Sequence, residues 1–172
     1  YSTSESTSLT AGAIGLVQSR GKDLGLDPTA DEVKQILTMT ADDIADHCAS
    51  AFALFNVCQE GFDEHFGYGR MNLERAMEAL GDPDRGIEAM IPPSVQIQEP
   101  LWWQTIDPIK TPDLDVLGII SSRVTPYTWE LQIAEGQQPL EAEFVTVATG
   151  QESGVLSGKI ATLPVAQYFS EQ

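Results

Sequence analysis

Apolar residues recur at helical spacing through residues 1–90. The pattern predicts three helices: a largely buried one that ends near Gly21, a second that runs to about Thr40, and a third that starts at Asn72. The second helix begins at Thr29–Glu32, where a threonine hydroxyl and a glutamate carboxylate three residues apart predict a capping box. The apolar residues expected to face inward are Leu9, Ala13, Ile14, Leu16, Val17, Val33, Ile36, Leu37, Leu73, Ala76, Met77 and Leu80.

The hydrophobic period changes to two after a linker rich in proline and glycine, Gly81–Pro93. In residues 127–133, apolar and polar side chains alternate, as in a strand with one buried face. Four further short strands are predicted at residues 95–97, 114–116, 144–147 and 160–163. Turn residues separate these segments, so residues 94–172 are expected to form a small antiparallel sandwich, with fewer strands than the usual count of about seven.

Composition and charge narrow the classes of function. Apolar residues make up 42% of the 172 residues and charged residues 20%, which is typical of a folded protein. The 26 acidic residues against 9 basic ones give a formal net charge of −17. A field of that sign repels phosphate backbones and anionic lipids, which argues against binding to nucleic acid or to a membrane surface. The first residue is Tyr1 and not methionine, so we expect a processed product or a piece of a longer protein.

Hydroxyl side chains are concentrated at the start of the chain, in residues 2–10, directly before the first predicted helix. A serine at a helix N-terminus lies beside unsatisfied backbone N–H groups and the positive end of the helix dipole, which favour developing negative charge. Such a position suits a nucleophile, but serine and threonine also serve there simply as N-caps. The residues alone leave both interpretations open.

Three segments within about the first 80 residues match sequence motifs that occur in the same order in one known protein family. Residues 2–12 are similar to a Gly-Thr-Ser-x-Ala-Thr/Ser-Pro-x-Val-Ala-Gly segment, residues 33–44 to a Val-Lys-x-x-Leu helix ending in Thr-Ala, and residues 67–72 to a Gly-x-Gly-Arg/Leu-x-Asn turn. In this order they resemble the C-terminal part of the catalytic domain of the subtilisin-like serine peptidases, the subtilases. Ser4 falls on the position of the family's nucleophile. The departures from the family pattern are Ser2 for Gly, Ser6 for Ala, Ser8 for Pro and Thr10 for Val.

The resemblance implies an α/β subtilisin-like fold for this region and acyl transfer as its chemistry. Ser4 Oγ is then the nucleophile, and the Ser4 backbone N–H contributes to the oxyanion hole. In the family the catalytic Asp and His and the oxyanion Asn precede the nucleophile, so all three are expected from outside this chain, which alone should be inactive. The expected partners are a peptide or protein substrate and the remainder of the parent peptidase, in a secreted or cell-surface bacterial enzyme. No cofactor is expected, and a structural calcium of the parent protein has no assigned residues here.

Two histidines and two cysteines lie between the second and third motifs. The spacing of His47 and His65 matches no compact metal-binding motif, and the family does not place its base there, so both are interpreted as surface residues. Cys48 and Cys58 can form a disulfide, as in exported proteins, or remain buried thiols on an apolar helix. Both alternatives stay open, with a slight preference for the disulfide.

The second half of the chain shows a separate and less specific resemblance to a known module. A Tyr-x-Trp strand that leads into an Ala-Glu-Gly turn, residues 127–136, resembles the immunoglobulin- or fibronectin-like module that follows the peptidase domain in some large bacterial subtilases. Residues 101–108 share this likeness. Trp102 and Trp103 cannot both point inward from a strand, because adjacent side chains alternate between its faces. Packing in the core or between domains is the favoured role for them, and contact with a ligand is the alternative.

The predicted organisation is a subtilase part at residues 1–85, a linker at 86–93 and an incomplete all-β sandwich-like module at 94–172. Two alternatives remain. The departures within residues 2–8 motivate a degenerate, non-catalytic subtilase-like scaffold whose β-module binds protein or carbohydrate. The other is an independent α+β binding protein whose motif matches are accidental.

Overall fold

A computed structural model describes the chain over residues 3–44, 58–63, 66–136 and 139–169. The chain divides between Pro92 and Pro93 into two compact units, called here the helical unit and the β unit. Helices dominate the helical unit, and antiparallel sheets of three and two strands form most of the β unit. The coarse prediction of a helical region followed by a β region is confirmed, and the fold is mixed α/β.

Over its described residues the helical unit contains three helices and a short 3-10 turn, namely α1 Thr3–Asp23, α2 Ala30–Met39, α3 Leu73–Ala79 and the turn Pro83–Arg85. Both predicted caps are confirmed. Thr29 Oγ1 accepts a hydrogen bond from Glu32 N at 3.2 Å, while Glu32 Oε2 accepts one from Thr29 N at 2.8 Å. At the start of α3, Asn72 Oδ1 accepts a hydrogen bond from Arg75 N at 3.0 Å. None of the helices in the described ranges combines the length and the apolar composition needed to span a lipid bilayer.

The core of the helical unit is built where the three helices meet. Its buried residues are Val17, Val33, Ile36, Ala76, Leu80 and Ile91. Gly21 lies at the point of closest approach between α1 and the start of the next segment, because a Cβ there would overlap the ring of Pro28. The glycine therefore lets the chain turn back from α1 toward α2 at short range.

The prediction of a largely buried first helix is wrong, because α1 is buried only along one narrow stripe of its C-terminal half. Only Ala13, Val17 and Gly21 are buried, whereas Leu9 and Leu16 are 69% and 51% exposed. The reason is one of length. With 21 residues α1 is about 31 Å long, while α2 and α3 have only 10 and 7 residues and cover just its last turns.

All five predicted strands are present in the β unit. Its elements are β1 Ser94–Glu99, β2 Leu114–Ser121, β3 Tyr127–Ile133, a 3-10 turn at Glu141–Glu143, β4 Val145–Glu152, β5 Leu156–Leu163 and the short helix α4 Val165–Tyr168. One sheet has the order β1-β2-β5, and the other consists of β3 and β4. Every pairing is antiparallel, and β2 is the central strand of the larger sheet.

A buried tyrosine connects the two sheets. The hydroxyl of Tyr127 on β3 lies 3.0 Å from the carbonyl oxygen of Ile120 on β2 and 2.7 Å from that of Gly154, in the connection between β4 and β5. The hydroxyl has a single proton, which it donates to these two acceptors in a shared arrangement. Tyr127 is 9% exposed, so water does not readily replace this contact.

We expect Tyr127→Phe to lower the free energy of unfolding of the β unit by about 1–2 kcal/mol, because two carbonyl oxygens lose their donor. Urea unfolding followed by tryptophan fluorescence measures this unit, since all 3 tryptophans of the chain lie in it. Tyr168→Phe is the matched control, because the Tyr168 hydroxyl has no hydrogen bond to another described residue. Equal effects of the two substitutions would refute the assigned role of Tyr127.

Candidate functional site

Ser4, the predicted nucleophile, lies in the first turn of α1 and is exposed to solvent. Backbone N–H groups in the first turn of a helix have no partner within the helix, and the helix dipole places partial positive charge there. The surroundings of Ser4 therefore favour an oxygen that gains negative charge.

Two neighbouring hydroxyl groups are engaged by the helix itself. Thr7 Oγ1 donates to Thr3 O at 2.8 Å, and Ser8 Oγ donates to Ser4 O at 3.2 Å. The Ser4 hydroxyl has no hydrogen bond to another described residue, and the hydroxyls of Thr3 and Ser6 in the same turn have none either. The position of Ser4 in the family-like segment, and not its availability, therefore distinguishes it from its neighbours.

A base for Ser4 is not provided by the described part of the chain, which contains no histidine. His47 and His65 lie outside the described residues, as do Ser2 and Cys48. Cys58 is disulfide-bonded, and Cys48 is the only other cysteine of the sequence. Among the described residues, no three histidine, cysteine, aspartate or glutamate side chains form a group that could hold a metal ion.

Two of the motifs that carry the resemblance meet in space at Asp42. The backbones of Asp42 and Arg70 exchange two hydrogen bonds, at 2.8 and 2.9 Å. The Asp42 carboxylate accepts from Asn72 Nδ2 at 2.9 Å and forms ion pairs with Arg70 at 3.1 Å and Arg75 at 3.3 Å. Residues 40–44 and 67–72 therefore form one connected structure, which we call the Asp42 cluster and define as Asp42, Arg70, Asn72 and Arg75.

The carboxylate of Asp42 is fully engaged in structural hydrogen bonds and is not available as a catalytic base. Both carboxylate oxygens have donors, since Oδ1 is bound by Asn72 and Arg75 and Oδ2 by Arg70. The hydrogen bond from Asn72 lowers the pKa of the Asp42 carboxyl below its ordinary value, and the hydrogen bonds from Arg70 and Arg75 add to this effect. Sequence reasoning matched the two motifs separately and missed their contact, although an aspartate in one and an arginine and an asparagine in the other were the available signal.

A glycine makes the close contact within the Asp42 cluster possible. Gly69 has φ = +103°, and a Cβ at this position would overlap the carbonyl oxygen of Asp42. Gly67, two residues earlier, also has a positive φ of +61°, but a Cβ there would meet nothing within 4 Å. At residue 69 glycine is favoured both by the positive φ and by the close contact with the Asp42 carbonyl. At residue 67 it is favoured by the positive φ alone.

The expected core packing of Trp102 or Trp103 is wrong. They are 84% and 86% exposed, so neither is buried in the β unit. Both lie in the connection between β1 and β2 rather than on a strand, and Trp103 adopts φ = +64°, a left-handed conformation unusual for a residue with a Cβ. Packing against another domain and contact with a ligand remain as possible roles.

No protein-family model matches this chain, and neither the curated proteins nor the solved structures include a detectable relative of it. Function is therefore inferred from the residues and their geometry alone.

We expect Gly69→Ala to destabilise the helical unit by about 3 kcal/mol or more, from backbone strain and the overlap with the Asp42 carbonyl. Gly67→Ala is the matched control and should cost only the left-handed backbone strain, about 1–2 kcal/mol. Urea unfolding followed by circular dichroism at 222 nm measures the helical unit, which contains the three longer helices. A Gly69→Ala protein as stable as Gly67→Ala would contradict the close contact seen here.

The Asp42 cluster should also make the helical unit sensitive to acid. A carboxyl whose pKa is lowered in the folded state stabilises the fold above its ordinary pKa of 3.8, and this contribution disappears as the pH falls through the lower folded value. The urea midpoint of the wild-type helical unit should thus fall between about pH 5 and about pH 3. Asp42→Asn should show a lower midpoint at neutral pH and a flatter pH dependence. Asp23→Asn removes an equal charge from an exposed position at the end of α1 and should keep the wild-type slope.

Proposed function

We propose that the helical unit is the nucleophile-bearing part of a subtilisin-like serine endopeptidase, which hydrolyses peptide bonds through an acyl-enzyme. The observation that carries the proposal is the position of Ser4, exposed and without a hydrogen-bond partner among the described residues, in the first turn of a long helix. This is where a serine nucleophile benefits from the unsatisfied N–H groups of the helix.

The Asp42 cluster gives the proposal independent support. The resemblance rests on three segments that are separate in sequence, and two of them, residues 40–44 and 67–72, are joined by backbone and side-chain hydrogen bonds. Accidental matches give no reason for such segments to meet. The third segment, around Ser4, belongs to the same unit.

The chemistry assigns one defined task to this chain. Ser4 Oγ attacks the carbonyl carbon of a peptide bond, and its proton passes to a histidine that comes from outside these residues. The Ser4 backbone N–H then donates a hydrogen bond to the oxyanion of the tetrahedral intermediate, together with an external asparagine. The C–N bond breaks, the leaving amine takes the proton from the histidine, and water subsequently hydrolyses the ester on Ser4.

The exposed apolar residues of α1 identify the second expected partner, the remainder of the parent peptidase. Leu9 and Leu16 are 69% and 51% exposed, and Ile14 is 36% exposed. Exposed apolar side chains along a long helix favour contact with another protein surface. The acidic net charge of −17 argues against nucleic acid as the partner. The disulfide bond of Cys58 supports a secreted or cell-surface location, because disulfides persist in oxidising compartments.

The β unit is proposed to be a sandwich-like module of the immunoglobulin or fibronectin kind. Its two antiparallel sheets and the connection between them through Tyr127 support this assignment. In the proposed enzyme the module follows the peptidase domain and takes no part in acyl transfer.

A fluorophosphonate probe tests the peptidase proposal in the longer parent protein. We expect the probe to label Ser4 of the parent, and Ser4→Ala to abolish the labelling, because the probe reacts with an activated serine hydroxyl. The 172-residue chain by itself should remain unlabelled, since its described residues offer no histidine base. Labelling is detected by mass spectrometry of the modified peptide.

Ser6→Ala is the matched control, because Ser6 is an exposed serine of the same helix and the family has alanine at this position. The Ser6→Ala parent should keep full labelling. A well-folded parent that the probe does not label would overturn the peptidase proposal and favour the non-catalytic scaffold instead.

A further inference from the structure

The connection between β1 and β2 exposes a concentration of large apolar side chains. Trp102 and Trp103 are 84% and 86% exposed, and their ring centroids lie 6.2 Å apart with an interplanar angle of 48°. Leu101 and Ile109, in the same connection, are 67% and 92% exposed. Scattered single apolar residues on a surface need no explanation, but two adjacent tryptophans with almost all of their area in water indicate a binding surface.

Hydrogen bonds within this connection hold its backbone in place. Gln104 Oε1 accepts from Leu101 N at 2.8 Å, and Gln104 N donates to Leu101 O at 2.9 Å, which closes a turn around the two tryptophans. Asp107 Oδ1 accepts from Ile109 N at 3.0 Å, and Asp107 Oδ2 pairs with Lys110 Nζ at 3.0 Å. The aromatic rings are thus presented from a preformed turn, which lowers the entropy cost of binding.

The same connection forms one side of a groove in the β unit. The groove has a volume of about 500 Å³, within the range of small-molecule sites. Pro100 and Gln104 line it from the connection, and Ile133 and Leu163 from the ends of β3 and β5. Glu135 and Tyr168 add polar groups to this mostly apolar lining.

We propose that the turn that carries Trp102 and Trp103, whose flanking residues Pro100 and Gln104 line the groove, binds a chain of neutral sugars. The flat faces of Trp102 and Trp103 suit the apolar C–H faces of pyranose rings, and two neighbouring rings suit successive sugars of one chain. The polar groups of Gln104, Glu135 and Tyr168 can exchange hydrogen bonds with sugar hydroxyls. The site lies wholly within the β unit, so it does not depend on the peptidase proposal.

The charge of the protein favours a neutral glycan over an anionic polysaccharide or a lipid surface. A net charge of −17 repels anionic polysaccharides and anionic lipid headgroups. Insertion into an uncharged membrane would require burying the Asp107–Lys110 ion pair, which lies beside the most exposed apolar residue, Ile109. A neutral polysaccharide avoids both the electrostatic repulsion and the burial of the ion pair, because it stacks on the rings and leaves the ion pair in water.

The test is isothermal titration calorimetry of the full chain with four neutral hexasaccharides: cellohexaose, chitohexaose, xylohexaose and laminarihexaose. We expect at least one of them to bind. Trp102→Ala and Trp103→Ala should each weaken that binding about fivefold or more, because each removes one stacking face, and the double variant should abolish it. Both side chains are exposed, so the variants should remain folded, which near-ultraviolet circular dichroism can verify.

Ile109→Ala is the matched control, because it removes an equally exposed apolar side chain that has no ring, and its affinity should stay within about twofold of wild type. Three outcomes would overturn the proposal. They are no binding of any hexasaccharide at millimolar concentration, binding that the tryptophan variants leave unchanged, and a tryptophan-dependent association with phosphatidylcholine vesicles or with a second copy of the chain in place of sugar binding.

Discussion

The carboxylate of Asp42 determines how the helical unit closes. It joins segments 28 residues apart, and its partner Asn72 is at the same time the N-cap of α3. The position at which α3 begins is therefore fixed relative to the end of α2. This brings Ala76 and Leu80 of α3 against Ile36 of α2, and the core of the unit follows from that arrangement. Gly69 belongs to the same constraint, because only a residue without a side chain lets the two backbones approach so closely.

One face of the C-terminal half of α1 packs against the described core, whereas the N-terminal half of α1 has no such contact with the described residues. The stripe of Ala13, Val17 and Gly21 faces the described core, while the residues before it are exposed. In the proposed enzyme the nucleophile must be reachable by its substrate and by its base, and the exposed position of Ser4 at the start of the helix is compatible with such access. The exposed leucines of α1, Leu9 and Leu16, need a partner, and the proposed enzyme supplies one in the form of its own upstream chain.

Local features of the fold were predictable, and long-range ones were not. The capping box of Thr29 and Glu32 and the alternation in residues 127–133 depend on neighbours in sequence, so their patterns were sufficient. The exposure of Leu9 was not predictable, because apolar spacing defines a helix face without telling whether another element covers it. The contact between Asp42 and Arg70 was missed for a similar reason, since the complementary side chains of the two motifs do not show that segments 28 residues apart meet in space.

The two exposed apolar surfaces differ in chemistry, and this difference assigns them to different partners. The surface on α1 consists of aliphatic side chains and small residues such as Gly12 and Gly15, which allow the close approach of another backbone. The surface on the β1–β2 connection consists of aromatic rings with amide and carboxylate groups nearby, which suits a ligand that is apolar on its faces and polar at its edges. Protein packing is the proposed role of the first surface, and recognition of a sugar chain is the proposed role of the two adjacent tryptophans on their turn.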